Sequence, residues 1–134
     1  MPEGNFNSRC GRIMLVGSDP KQILEKRFQS AGFQVVKVRD HEAAFDHVRR
    51  EVFDTAVLVS RGSLINVAET IFNLRDLNGS MEIIVVVERL GKQINRFLRQ
   101  LLEHPIEGTR IVTRRQLQRQ LHTVVEAAPP RLSL

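Results

Sequence analysis

Five short apolar runs alternate along the chain with stretches of helical periodicity. The runs span Arg12–Gly17, Gln34–Val38, Asp54–Ser60, Ile83–Val87 and Thr109–Thr113. The first, third and fourth are nearly continuous in aliphatic residues, as in strands that are covered on both faces of a parallel sheet. The second and fifth are more polar, which is typical of edge strands. The pattern therefore predicts five strands, with the second and the fifth at the edges.

Each run is followed by a segment with the signals of a helix. Residues that commonly begin helices stand at every start, namely Ser18 or Asp19, Asp40, Ser63, Gly91 and Thr113. Apolar residues then recur three or four positions apart and predict a buried face for each helix. In the second helix this face comprises Ala44, Val48 and Val52, and in the third Ile65, Ala68 and Phe72.

Five strand-helix units in about 120 residues predict an α/β fold with a parallel sheet between two layers of helices. The expected architecture is a flavodoxin-like (βα)5 three-layer sandwich with strand order 2-1-3-4-5. We expect the domain to span residues 11–126. The polar residues 1–10 are expected to be disordered, and residues 127–134, which contain Pro129 and Pro130, to form a tail or linker.

Several segments together resemble the receiver domain of bacterial response regulators, which is also called the CheY-like domain. They are RIMLVGSDP at the first strand, Ala31–Val35 (AGFQV) after the first helix, FDTAVLVSRG, IIVVVER and RIVTRR. The resemblance covers roughly residues 11 to 126. It implies a cytoplasmic signalling domain of a two-component phosphorelay pathway.

The residues at the reactive positions of the receiver pattern differ from the family. Gly17 and Ser18 replace its acidic pair and only Asp19 is retained, Val59 stands at the phosphoacceptor position, Val87 replaces the hydroxyl residue, and Arg114 (or Arg115) replaces the lysine. Valine offers no nucleophilic atom, and Mg²⁺ needs hard oxygen ligands. We therefore predict a pseudo-receiver that is not phosphorylated, has no metal or other cofactor, and is not an enzyme.

Two acidic residues near these positions each allow two interpretations. Asp19 is a helix-capping acid in one and a metal ligand in the other, and its place at a helix start favours the cap. Glu88 is an ordinary solvated side chain in one, which we favour. In the other it pairs with Arg114 as a fixed substitute for a phosphate-lysine contact.

The net charge of +5, with a sequence pI of about 10.3, raises the question of an anionic partner. Basic residues recur on the fourth helix, the fifth strand and the fifth helix, namely Lys92, Arg96, Arg99, Arg110, Arg115 and Arg119. In receivers this region forms the usual dimerisation or output surface. The resemblance thus implies docking of another signalling protein, of an output domain of the same regulator, or of a second copy.

Two alternatives from other functional classes remain at this point: a nucleic-acid-binding module, and a sensor of small anions or nucleotides on the same fold. The chain contains no recognisable helix-turn-helix and no nucleotide-binding glycine motif, so we favour the signalling domain over both, which stay open as alternatives. Its four histidines share no ligand spacing, and Cys10 is its single cysteine. No apolar run approaches the roughly 20 residues of a membrane helix, so no membrane association is expected.

Overall fold

The computed structural model describes residues 11–17, 19–59, 65–88 and 96–127. Five parallel strands form one sheet in the order β2-β1-β3-β4-β5. The strands are β1 (Arg12–Val16), β2 (Gln34–Val38), β3 (Thr55–Val59), β4 (Glu82–Val87) and β5 (Thr109–Thr113). The helices are α1 (Ile23–Ser30), α2 (His41–Arg50), α3 (Ile65–Leu77), α4 (Arg96–Glu103) and α5 (Arg114–Ala127). The predicted flavodoxin-like fold and its strand order are confirmed.

Successive strand residues point to opposite faces of the sheet, which divides the core in two. On one face Met14, Ala56 and Val85 pack against α2, α3 and α4. On the other, Ile13 and Val57 belong to the cluster formed with α1 and α5. Because both faces are covered, β1, β3 and β4 need aliphatic residues at almost every position, which is why they were recognisable in the sequence.

Side chains cap the N-termini of α2 and α5. The Asp40 carboxylate accepts a hydrogen bond from the Ala43 amide at 2.9 Å. At α5 the Thr113 hydroxyl accepts from the Gln116 amide at 3.0 Å, and the Gln116 side-chain oxygen accepts from the Thr113 amide at 2.8 Å. This reciprocal pair is a capping box, and it fixes where β5 ends and α5 begins.

Two side chains that were predicted to be buried are exposed. Helix α2 ends at Arg50, so Val52 lies beyond it and is 75% exposed. In α3 the buried residues include Val67, Ile71 and Leu74, whereas Phe72 is 54% exposed. Two sets of α3 residues have the spacing of a buried face, and the set of Val67, Ile71 and Leu74 is the one that lies against the sheet. The predicted faces at Val52 and Phe72 are therefore wrong.

The described part of the chain contains no helix that is both long and apolar enough to cross a membrane.

Arg75 connects the end of α3 to the starts of two strands. Its guanidinium donates to the backbone oxygens of Gly79, Met81 and Gly108 and to the Thr109 hydroxyl, at 3.0 Å for Gly108 and 2.9 Å for Thr109. One planar group with several donors thus binds three backbone carbonyls and one hydroxyl at once. The side chain holds the connection before β4 and the beginning of β5 together.

Replacement of Arg75 by Met should lower the free energy of unfolding by about 1–3 kcal/mol, because four acceptors, two of them in half-buried hydrogen bonds, lose a charged donor. Arg75→Lys should recover only part of the loss, since one ammonium cannot reproduce the planar set of donors. Urea unfolding followed by circular dichroism measures both. The control is Arg49→Met on the exposed side of α2, for which a change within about 0.5 kcal/mol is expected. Equal effects at the two positions would refute the role of Arg75.

Candidate functional site at the carboxyl edge of the sheet

Parallel pairing brings the carboxyl ends of the strands to one edge of the sheet. In the register, Val16 of β1 lies beside Leu58 of β3, and Val87 of β4 lies beside Thr113 of β5. The residues that follow, and that the sequence singled out, therefore lie along this edge: Gly17, Asp19, Val59, Glu88 and Arg114. Ser18 lies outside the described residues.

Gly17 has no room for a side chain. Its φ of +110° is a conformation that L residues rarely adopt, and a Cβ built there would lie 2.9 Å from the Val59 backbone oxygen. Its amide donates to the Val38 oxygen at 3.0 Å, which closes the end of the β1–β2 pair. A carboxylate at position 17 would therefore require β1 and β3 to separate.

The Asp19 carboxylate caps α1 from inside the protein. Its side chain is 1% exposed, and its two oxygens accept hydrogen bonds from the Leu24 and Glu25 amides, each at 2.9 Å. A short 3-10 turn lies between, and its residues Lys21 and Gln22 have left-handed φ values of 59° and 57°. Such backbone costs about 1–2 kcal/mol per residue, which the charge-assisted hydrogen bonds to Asp19 help to offset.

Arg114 links this cap to the end of β4. Its Nη1 lies 3.9 Å from Asp19 Oδ1, and its Nε lies 3.4 Å from Glu88 Oε2. The Arg114 side chain is 16% exposed, whereas Glu88 is 56% exposed. Glu88 thus pairs with Arg114 and is also solvated, which combines the two interpretations of this residue. The Arg114 guanidinium thus connects the β1–α1 junction, the end of β4 and the β5–α5 junction.

Apolar side chains occupy the two other positions of the family pattern. Val59, at the end of β3, is partly buried and belongs to the cluster under α1 and α5. Val87, at the end of β4, is 6% exposed and belongs to the opposite cluster. Neither side chain has a polar atom.

Receiver domains imply a Mg²⁺ ion at this edge, and the described residues do not fit one. Asp19 already uses both oxygens on backbone amides and lies beside Arg114, whose positive charge opposes a cation. Gly17, Val59 and Val87 offer no oxygen-bearing side chain. Within the ranges that the structure describes, no three acidic, histidine or cysteine side chains are grouped to hold a metal.

The predicted basic face lies only partly within the described residues. Arg99 on α4 and Arg115 and Arg119 on α5 are exposed. Arg110 on β5 pairs with Glu82 at 3.2 Å, so its charge is partly neutralised. Lys92 lies outside the described residues, and so does the Arg96 side chain.

A charged network at the opposite edge of the sheet was not predicted. Glu51 Oε1 lies 2.7 Å from Arg12 Nη2, and Glu51 Oε2 lies 3.0 Å from His47 Nδ1. The Arg12 guanidinium also lies 4.8 Å from the centre of the Phe53 ring. Hydrogen bonds from Arg12 and then His47 lower the pKa of the Glu51 carboxyl. The only sequence signal was the spacing of His47 and Glu51 by four residues, whereas Arg12 is distant in the chain.

The fold is similar to that of solved receiver structures. A response regulator receiver protein from Sinorhizobium medicae matches with a TM-score of 0.63 and 16% identity, over 88% of this chain and 96% of that chain. The receiver domain of the sensor histidine kinase PA1611 from Pseudomonas aeruginosa, solved with a coordinated magnesium ion, matches with a TM-score of 0.62 and 18% identity, over 88% and 99%.

A third match is the N-terminal domain of a response regulator/sensory box/GGDEF 3-domain protein from Carboxydothermus hydrogenoformans. It has a TM-score of 0.61 and 12% identity, over 86% of this chain and 94% of that chain. No protein-family model and no curated protein sequence matches the chain. At these identities the likeness establishes the receiver, or CheY-like, fold.

Replacement of Asp19 by Ala should lower the free energy of unfolding by about 2–4 kcal/mol, because two buried charge-assisted hydrogen bonds are lost and Arg114 loses a buried counter-charge. Chemical denaturation measures the loss. The matched control is Asp46→Ala on α2, where the side chain is 65% exposed and pairs with Arg49 at the surface. A change of about 0–1 kcal/mol is expected there. A loss at Asp19 no larger than at Asp46 would contradict the capping role.

Proposed function

We propose that this chain is a signal-transduction domain that acts by protein-protein contact and is not switched by phosphorylation. The observation that carries the proposal is Val59 at the end of β3, at the same edge of the sheet as Arg114, which Asp19 and Glu88 already neutralise. Aspartyl phosphorylation requires a carboxylate nucleophile, which valine cannot supply. The receiver pattern has a free lysine at the position of Arg114. Here the Arg114 guanidinium is already paired with two carboxylates, so a phosphoryl group would meet a cation whose charge is neutralised. On this proposal the domain is not an enzyme and acts in the cytoplasm.

The start of α5 supports a contact face for an acidic partner. Residues 114–121 contain three arginines and no aspartate or glutamate. Cations near a helix N-terminus are unfavourable by about 0.3–1 kcal/mol each, because the amide dipoles there are positive. Arg114 is compensated by Asp19 and Glu88, whereas Arg115 is exposed. Acidic groups of a partner would relieve the remaining repulsion.

The partner on this proposal is another signalling protein, an output domain of the same regulator, or a second copy that contacts α4, β5 and α5. Charge at such a face raises the association rate and selects among partners more than it raises affinity. Since the carboxyl edge has its charges fixed internally, any change of state must come from differential contacts with the partner.

Incubation with Mg²⁺ and acetyl phosphate, or with beryllofluoride, should leave the protein unmodified. Intact-mass spectrometry should detect no phosphoryl adduct, and amide NMR spectra should not shift near Asp19, Val59 or Arg114. The positive control is a receiver with an intact acidic pair and phosphoacceptor, treated in the same mixture. A stoichiometric adduct, or shifts confined to this edge, would refute the proposal.

The contact face is tested with two anionic probes, a polyglutamate peptide and a DNA duplex of mixed sequence. Polyglutamate should shift the amides at the start of α5, and the double variant Arg115→Glu/Arg119→Glu should weaken its binding about tenfold, since charge pairs at a face steer association. The matched control is Arg49→Glu/Arg50→Glu at the end of α2, which should change the affinity much less.

DNA binding that is tighter than polyglutamate binding and falls steeply with salt would contradict the proposal. It would favour the nucleic-acid-binding alternative, since counterion release makes such affinity strongly salt-dependent.

A further inference from the structure

Helix α3 carries an exposed aromatic side chain on the side that faces away from the sheet. Its inner stripe of Val67, Ile71 and Leu74 is buried. Phe72 lies on the opposite side and is 54% exposed. Aromatic side chains are enriched at protein-protein interfaces relative to the rest of the surface.

Carboxylates flank Phe72 on both sides. Glu69 lies three residues before it and Asp76 four residues after it, and both are exposed. At 3.6 residues per turn the three side chains fall within an arc of about 60°. The nearby Arg75 directs its guanidinium to backbone carbonyls at the end of the helix instead. On a chain of net charge +5, the outer face of α3 is therefore acidic around an aromatic residue.

We propose that this face, made of Glu69, Phe72 and Asp76, docks a basic amphipathic helix of another protein. An aliphatic residue of that helix would contact Phe72, and lysines or arginines one turn to either side would pair with Glu69 and Asp76. Such spacing matches the i, i+3 and i+4 anchors by which helices bind to protein surfaces. The two carboxylates would repel nucleic acid and anionic membranes.

A second copy fits this face less well. The basic start of α5 is the complementary surface on the same chain, but α5 packs on the other face of the sheet from α3. A contact between the two would be heterologous and would not close into a dimer. The acidic face of α3 is also separate from the basic face on α4, β5 and α5. The two proposals therefore fail or succeed independently.

The test uses a designed amphipathic helical peptide with lysines on one face and a central leucine between them. A second peptide has the same sequence with every lysine replaced by glutamate. In an amide NMR titration at physiological salt, the lysine peptide should shift residues of α3, and the glutamate peptide should not. Phe72→Ala should weaken binding by about tenfold or more, as truncation of an aromatic anchor does. Leu102→Ala, which removes a 43% exposed side chain of α4, is the control and should not change the affinity.

A charge-reversal variant tests the proposal without changing Phe72. Glu69→Lys/Asp76→Lys should bind the glutamate peptide and lose the lysine peptide. Unchanged affinity in both variants, or shifts that spread over other acidic surfaces, would overturn the proposal. So would self-association, or binding to phosphatidylserine vesicles, that Phe72→Ala abolishes, because a second copy or a membrane would then be the occupant.

Discussion

The Asp19 carboxylate is the group on which the carboxyl edge of the sheet depends. It accepts the Leu24 and Glu25 amides across a turn with two left-handed residues, so α1 begins where this side chain allows it to begin. It is also the most buried counter-charge of Arg114, which in turn reaches Glu88. Removal of this carboxylate would leave two amides without acceptors and a mostly buried guanidinium without its more buried anion. Both losses are expensive in a low-dielectric environment.

A carboxylate whose two oxygens already accept backbone amides is poorly placed to bind a metal ion or take part in phosphoryl transfer. Reversible phosphorylation needs an edge at which charges are free to rearrange around an incoming group, with a nucleophile, a metal and a mobile cation. Here Gly17 approaches the Val59 backbone too closely for a side chain, and Val59 and Val87 join the two cores. The cation is held between two acids. The same side chains that stabilise the junctions therefore leave this edge without the groups that phosphorylation requires.

The features that could be predicted from the sequence are those that depend on one short segment of the chain. Strands β1, β3 and β4 are aliphatic at nearly every position because both faces are covered, and Asp40 and Thr113 cap within three residues of themselves. Where two local solutions were equally good the prediction failed, as for the stripe with Phe72 in α3. Asp19 was recognised as a capping acid, but the intervening 3-10 turn places its contacts five and six residues onward. Networks such as Arg12–Glu51 and Arg75–Gly108 join segments far apart in the chain, so no local sequence pattern predicts them.

The acidic face of α3 and the basic start of α5 have opposite charge and lie on opposite faces of one sheet. Helix α3 presents carboxylates around Phe72, and α5 presents arginines at its start, while β3, β4 and β5 pair continuously between them. Protein interiors packed in this way do not deform gradually, so the distance between the surfaces is set by the fold. Two partners of opposite charge can then bind the same domain without competing for one site. A domain without a chemical switch, as we propose this one to be, can still bring a basic helix and an acidic surface to a fixed separation, and for that task a rigid carboxyl edge is an advantage.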